Sequence, residues 1–209
     1  MASEVGIVSA LKRLFGRGGA GVPAFAAVGD GFFMAQPAQV ENPDRIKIGS
    51  GVKLGPDCVL RAKTHYPGNW LKSPDGNHVS QTFDPSLTLG DRVTATAGLQ
   101  VIAYQSVVIE DDVLLAANVY ISDGGHATVR GDVPYKYQGI GGVAPVRVGR
   151  GSWIGQNVVI NPGVEIGELC VVGAGSVVTR SLPPASMAVG APAKVIKLWN
   201  ADTGAWDHV

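Results

Sequence analysis

Four side chains in this chain can exchange a proton near neutral pH: His65, His78, His126 and His208. His126 ends the segment SDGGH at 122–126, three residues after Asp123, and the glycine-rich GIGGVAP follows at 139–145. Imidazole, with an unperturbed pKa of about 6.5, can withdraw the proton of a weakly acidic hydroxyl. Asp123 could orient that ring, bind a polar ligand, or simply form the turn. His65 and His78 share a polar segment, but their spacing fits no metal-ligand motif and no cysteine or acidic cluster supports them, so no metal is expected. They read as surface or ligand-contacting residues. Cys58 and Cys170 recur at one site of a repeat described below and read as buried packing residues, neither a disulfide nor a nucleophile. Gly16 to Gly21 (GRGGAG) formally matches G-x-G-x-x-G, yet no strand precedes it and Val22-Pro23 follows where a helix should start, so it reads as a linker.

The elements that must position His126 show as a repeat. Val148, Ile154, Ile160, Ile166, Val172 and Val178 fall at every sixth position. A helix would repeat its apolar face every 3.6 residues and a flat strand every 2. A period of six predicts coils of very short strands, each sending one aliphatic inward before a turn, with successive coils stacking their aliphatic rings. Ile48, Leu54 and Leu60 keep the same phase, as do Leu89, Ala95 and Val101, then Ile109, Leu115 and Ile121 after one slip around 102–108. Phase is lost twice, over 61–86 and 122–145. The second loss lies directly between two regular blocks, so it must be an excursion from a rigid wall, a common site for catalytic groups.

Composition agrees with a solenoid. Of 209 residues, 45% are hydrophobic and 16% charged, with 29 glycines and 13 prolines, which predicts many turns around a filled core. The 17 basic and 17 acidic residues cancel, so nothing argues for nucleic acid or an anionic membrane surface. No run of 18 apolar residues and no signal-peptide pattern is present, and a soluble, cytoplasmic protein is expected. Residues 5–15 predict a short amphipathic helix. The expected organisation is an N-terminal segment over 1–45, helix and linker, packing on the solenoid; a solenoid domain over 46–197 with insertions near 61–86 and 122–145; and a tail over 198–209.

SDGGH, the loop after it, and the run PVRVGRGSWIGQNVVINPGVEIGELCVVGAGSVVTRSLPPASMAVGAPAKVIK resemble the hexapeptide-repeat acyltransferases, in the branch of galactoside, maltose, nodulation-factor and polysaccharide O-acetyltransferases. The similarity is close from about Leu89 to Lys197. It implies an all-β, left-handed parallel β-helix, a homotrimer, and acetyl-CoA as co-substrate in a cleft between subunits. It places His126 on the family's catalytic histidine, with Asp123 as a second catalytic candidate. Trp153 and Gln156 fall where W-I-G contacts the pantetheine or active site, and Ala174 and Gly175 where small side chains let the pantetheine approach the backbone. Thr179, Arg180 and Lys194 match positions near the nucleotide end, with Lys197 a weaker candidate; cations there suit phosphate. The implied activity is acetyl transfer from acetyl-CoA to a carbohydrate hydroxyl in bacterial surface polysaccharide or lipopolysaccharide assembly, and Trp70 could stack on a sugar ring. The alternatives are N-acetylation of a nucleotide-linked amino sugar and a non-catalytic scaffold. A hydratase resembling γ-carbonic anhydrase needs three histidines for zinc, and His126 stands alone between Val79 and Asp207. Two departures concern the acceptor: Thr96 stands near where galactoside-acetylating relatives have an asparagine, and residues 1–45 lack their N-terminal pattern.

Overall fold

A computed structural model describes residues 23–66, 73, 76 and 79–209. The expected helix at 5–15, the GRGGAG segment, Trp70 and His78 lie outside the described residues. The chain winds through three faces in turn. The first coil is β1 (Ala27–Val28), β2 (Phe33–Met34) and β3 (Ala38–Glu41); the second is β4 (Ile46–Ile48), β5 (Lys53–Leu54) and β6 (Cys58–Ala62). A hairpin of β7 (His65–Tyr66) and β8 (Gln81–Thr82) leaves the wall before the third coil, β9 (Ser86–Leu89), β10 (Thr94–Ala95) and β11 (Gln100–Ala103). The fourth coil is β12 (Ser106–Ile109), β13 (Leu114–Leu115) and β14 (Tyr120–Ser122), followed by a second hairpin of β15 (Gly125–His126) and β16 (Ile140–Gly141). The fifth coil is β17 (Val146–Val148), β18 (Trp153–Ile154) and β19 (Val159–Ile160); the sixth is β20 (Glu165–Ile166), β21 (Val171–Val172) and β22 (Val177–Val178). Then come β23 (Ser186–Gly190), β24 (Ala193–Asn200) and β25 (Ala205–His208).

Each face is a parallel stack. The first runs β1-β4-β9-β12-β17-β20, the third β3-β6-β11-β14-β19-β22, and the second β2-β5-β10-β13-β18-β21-β23, extended by β24 and β25 antiparallel. Register explains the sixfold period. Leu60, Val101, Ile121, Ile160 and Val178 pair in one column, and Leu54, Ala95, Leu115, Ile154 and Val172 in another, each buried to 1% exposure or less. One aliphatic per face thus sits on its counterpart in the coil below, each such burial being worth about 1.5–3 kcal/mol. The architecture is the expected all-β, left-handed parallel β-helix. Cys58 and Cys170 are buried and free, within that core.

The solenoid starts earlier than residue 46. Val28 pairs with Ile48, Met34 with Leu54 and Val40 with Leu60, so 26–41 already form a coil. Val28, Met34 and Val40 are themselves six apart, a phase hidden by the aromatic and proline residues between them. The C-terminal residues also belong to a sheet: Trp199 and Trp206 face each other across β24 and β25 with ring centroids 5.5 Å apart, and this hairpin covers the last edge of the second face. No helix among the described residues is long and apolar enough to cross a membrane.

Candidate active site

His126 lies on β15, at the corner where the third face hands over to the first, and is exposed. The ground beneath it is built by Asp123. That side chain is fully buried, and its carboxylate accepts backbone N–H groups from Tyr104 at 2.7 Å, Gln105 at 2.8 Å and Ser106 at 2.6 Å. These three residues form the corner of the preceding coil where the hexad phase slips: Ile109 follows Val101 by eight positions, two more than the repeat allows. The longer turn leaves inward-pointing amides that no neighbouring strand can pair, and a carboxylate satisfies all three. Asp123, expected as a second catalytic candidate or a turn former, is buried with both carboxylate oxygens bonded to the corner amides, which supports the turn-forming alternative.

Packing completes this base. Tyr104 lies edge-on to Phe83 with centroids 5.0 Å apart, and burial pushes its phenol up to about 12, so it stays neutral. Gly124 lies against it, where a Cβ would come within 2.6 Å of the Tyr104 ring and 3.3 Å of Ile140. Glycine at 124 is thus required by a close approach.

The two insertions meet over this base. His126 pairs with Ile140 across β15 and β16, and the Gln81 side chain from β8 bonds both backbone groups of Ile140, its Nε2 donating to the carbonyl at 2.9 Å and its Oε1 accepting the N–H at 2.7 Å. Tyr66 from β7 reaches the imidazole itself, with Oη 3.3 Å from Nδ1 and the rings edge to face. Among the described residues Tyr66 is the partner of Nδ1, and Nε2 has none. Beyond this, Gln138 ties the 129–138 loop by bonds to Val129 and to the Val133 carbonyl, with Tyr135 exposed at its edge. His65 is exposed and bonds Thr64.

Apart from Lys197, which is half-buried on β24, the remaining candidates are exposed. Trp153 stands out from the second face at 51% exposure beside Leu114, its register partner at 44%. Gln156, and Ala174 with Gly175 one coil on, form the corner between second and third faces, where the Gly175 N–H donates to the Gln156 carbonyl at 2.8 Å. Gly175 has a φ of 71° and nothing within 4 Å of where a Cβ would stand, so the backbone is bare there. Lys194 borders this corner through its register partner Val189, which lies against Gly173. Thr179 and Arg180 sit at the next corner, the same edge of the prism as His126. The fold therefore groups the candidates in two strips. Trp153, Gln156, Ala174, Gly175 and Lys194 lie along one edge, and His126, Thr179 and Arg180 along another, one face away.

Sequence reasoning missed Tyr66, Gln81 and Tyr104. Tyr66 and Gln81 fall in the segment where phase is lost, and no local spacing ties them to residues about sixty positions downstream. Among the described residues, no group of three or more His, Cys, Asp or Glu is arranged to hold a metal ion.

A triangular parallel coil with sixfold aliphatic columns and a histidine-bearing excursion defines a class, the hexapeptide-repeat β-helix proteins. The model for bacterial transferase hexapeptide (six repeats) matches residues 145–180, and that for the hexapeptide repeat of succinyl-transferase matches 95–123. Galactoside O-acetyltransferase of Escherichia coli (strain K12) is 36% identical over 130 residues, covering 61% of this chain and 60% of the relative. A putative acetyltransferase of Staphylococcus aureus (strain MRSA252) is 31% identical over 147 residues, covering 62% of this chain and 74% of the relative. Across four of the curated relatives the chain spans 43–63% of their length. Among solved structures, a galactoside acetyltransferase in complex with coenzyme A superposes with a TM-score of 0.52 at 27% identity, covering 97% of this chain and 74% of that one. A variant of AntD, an N-acyltransferase from Bacillus cereus, gives a TM-score of 0.66 over 93% of this chain and 90% of that one, and at 21% identity it speaks for the fold alone. The chain belongs to the hexapeptide-repeat acetyltransferase family.

Proposed function

We propose that the chain transfers an acetyl group from acetyl-CoA to a carbohydrate hydroxyl, with His126 as the general base. The observation that carries this reading is the His126 ring, exposed on a hairpin that is fastened to a rigid coil, with Tyr66 beside Nδ1 and no partner on Nε2 among the described residues. A sugar hydroxyl is a poor nucleophile until a base takes its proton. Nε2 would take it as the alkoxide oxygen attacks the thioester carbon; the tetrahedral intermediate then collapses, the C–S bond breaks, and the proton passes to the departing thiolate. No covalent enzyme intermediate is needed.

The chain's surface fits the co-substrate. The bare backbone at Ala174 and Gly175 leaves room for a slender pantetheine arm, and Trp153 offers a flat apolar wall beside it. Arg180 and Lys194 carry no ion pair among the described residues, in contrast to Arg92, Arg147 and Arg150, which are all engaged with carboxylates. Free cations at the surface suit the phosphates of coenzyme A. The coenzyme A complex of the galactoside acetyltransferase supports the same assignment. Because His126 and the Trp153 strip occupy different edges of one chain, a single site using both needs two copies, and a homotrimer closes such a cleft three times by symmetry. A cytoplasmic location, where acetyl-CoA is made, and a role in surface polysaccharide or lipopolysaccharide assembly go with this proposal, supported by the sugar-acetylating relative.

The test is thiol release from acetyl-CoA with a panel of sugar hydroxyl and amino-sugar acceptors, using the wild type and His126→Ala. The reading expects acceptor-dependent release by the wild type and a fall of about 100-fold or more in the variant, with acetyl-CoA binding retained. Release only with amino sugars would replace O-acetylation by N-acetylation. Failure of the wild type to bind acetyl-CoA would leave a scaffold.

A further inference from the structure

His126 is exposed and belongs to a hairpin outside the coil, where nothing in the repeat fixes its ring. A neutral imidazole has two tautomers, and only the one with hydrogen on Nδ1 leaves a lone pair on Nε2. A carboxylate commonly makes that choice, but here the nearby carboxylate, Asp123, is buried beneath the loop and committed to three amides. Among the described residues, the group within reach of Nδ1 is the phenol of Tyr66, at 3.3 Å.

We propose that Tyr66 is the positioning residue of this site: its phenol oxygen accepts the Nδ1–H of His126, which selects the tautomer with a basic Nε2 and turns that atom toward the acceptor. This rests on His126 being the base. Three observations support it. Tyr66 and His126 come from different insertions, 60 positions apart, so the contact is built by tertiary structure and is not a local accident. The edge-to-face packing, with centroids 5.7 Å apart at 77°, fixes the ring plane while the oxygen fixes the nitrogen. Burial raises the Tyr66 phenol above its ordinary value, so it remains neutral through the physiological range. A neutral acceptor sets the tautomer without adding a negative charge beside the base. During the reaction the acceptor's proton arrives at Nε2, the imidazolium keeps Nδ1–H on the Tyr66 oxygen, and the same Nε2 proton leaves with the thiolate. Tyr66 itself gains and loses nothing.

The experiment compares wild type, Tyr66→Phe and His126→Ala. Phenylalanine keeps the ring and its packing and removes only the oxygen. Nitrogen-15 NMR of histidine-labelled protein, with His126→Ala assigning the signals, reads the tautomer directly and does not require turnover. The expected result is a wild-type His126 protonated at Nδ1, a shift of Tyr66→Phe toward the Nε2-protonated form that free histidine prefers, a roughly tenfold fall in kcat, and a KM for acetyl-CoA within about twofold. An unchanged tautomer in Tyr66→Phe overturns the proposal whatever happens to the rate, and so does a changed tautomer with wild-type kcat. Wild-type turnover by His126→Ala is a different result, which removes the base reading itself.

Discussion

The side-chain amide of Gln81 bonds both backbone groups of Ile140, as a neighbouring strand would, and so fastens the first insertion to the second. Ile140 is the residue opposite His126 in the β15–β16 ladder, so Gln81 sits one pairing away from the candidate base. Two excursions that would each be a loose hairpin are thereby joined into one platform of two linked hairpins. Two-stranded hairpins alone are marginal in water, and a third partner is what makes such a unit hold its shape.

Gln81→Ala is therefore expected to leave the Ile140 N–H and carbonyl unpartnered, at a cost of about 1–3 kcal/mol felt mainly by the platform. Hydrogen exchange at 139–141 should accelerate while the coil amides keep their protection, and kcat should fall several-fold. Equal acceleration throughout the coils would mean that the platform and the solenoid unfold together.

Asp123 allows a sharper test. In Asp123→Asn one amide nitrogen must face a backbone N–H, because Tyr104, Gln105 and Ser106 all donate into the same side chain. Losing one charge-assisted bond and setting donor against donor should cost about 2–4 kcal/mol, or a fall in Tm of roughly 5–15 °C for a chain of this size. Acetyl-CoA affinity at a permissive temperature should be unchanged. A variant with wild-type Tm and lost turnover would instead return Asp123 to the catalytic machinery.

Lys194 should act on the cofactor alone. With no carboxylate partner among the described residues, its removal disturbs no ion pair, so Lys194→Ala is expected to leave Tm unchanged. Calorimetric affinity for coenzyme A should fall about five- to tenfold, consistent with one exposed charge-assisted contact. The use of dephospho-coenzyme A tells which phosphate is met: an equal loss with both ligands points to the pyrophosphate, and a loss confined to coenzyme A points to the 3′-phosphate.

Cys58 gives a pH dependence. Burial pushes its thiol up to about 11, against an ordinary value of 9.0, with the Leu99 backbone hydrogen bond opposing the rise and the charge of Asp57 adding to it. The folded state thus holds this proton more tightly than the unfolded chain. Its contribution to stability is complete below about pH 9 and is lost as pH rises through 11. The Tm advantage of the wild type over Cys58→Ala should narrow across that window, and a thiol reagent at pH 8 should label Cys58 only after denaturation. Rapid labelling of the native protein at pH 8 would show that the site opens.

The sequence by itself determined the coil. One aliphatic every six residues, repeated over six coils, can be satisfied by burial only if each turn stacks on the last, and that constraint is local enough to read in Val148 to Val178. It also marked the excursion that carries His126, because a break in a strict period must leave the wall, whereas Ala174 and Gly175 were singled out only through the resemblance to the acyltransferase family. Even the early coil was written in Val28, Met34 and Val40, though their neighbours hid it. The contacts of Asp123 were decided only in three dimensions: nothing near it in the chain shows that its carboxylate turns inward to cap a corner 17–19 residues back. The partners of the imidazole were decided there too. Tyr66 and Gln81 reach His126 and Ile140 across about sixty residues because the coils return the chain to the same edge at each turn, and contacts made by that return leave no period in the sequence.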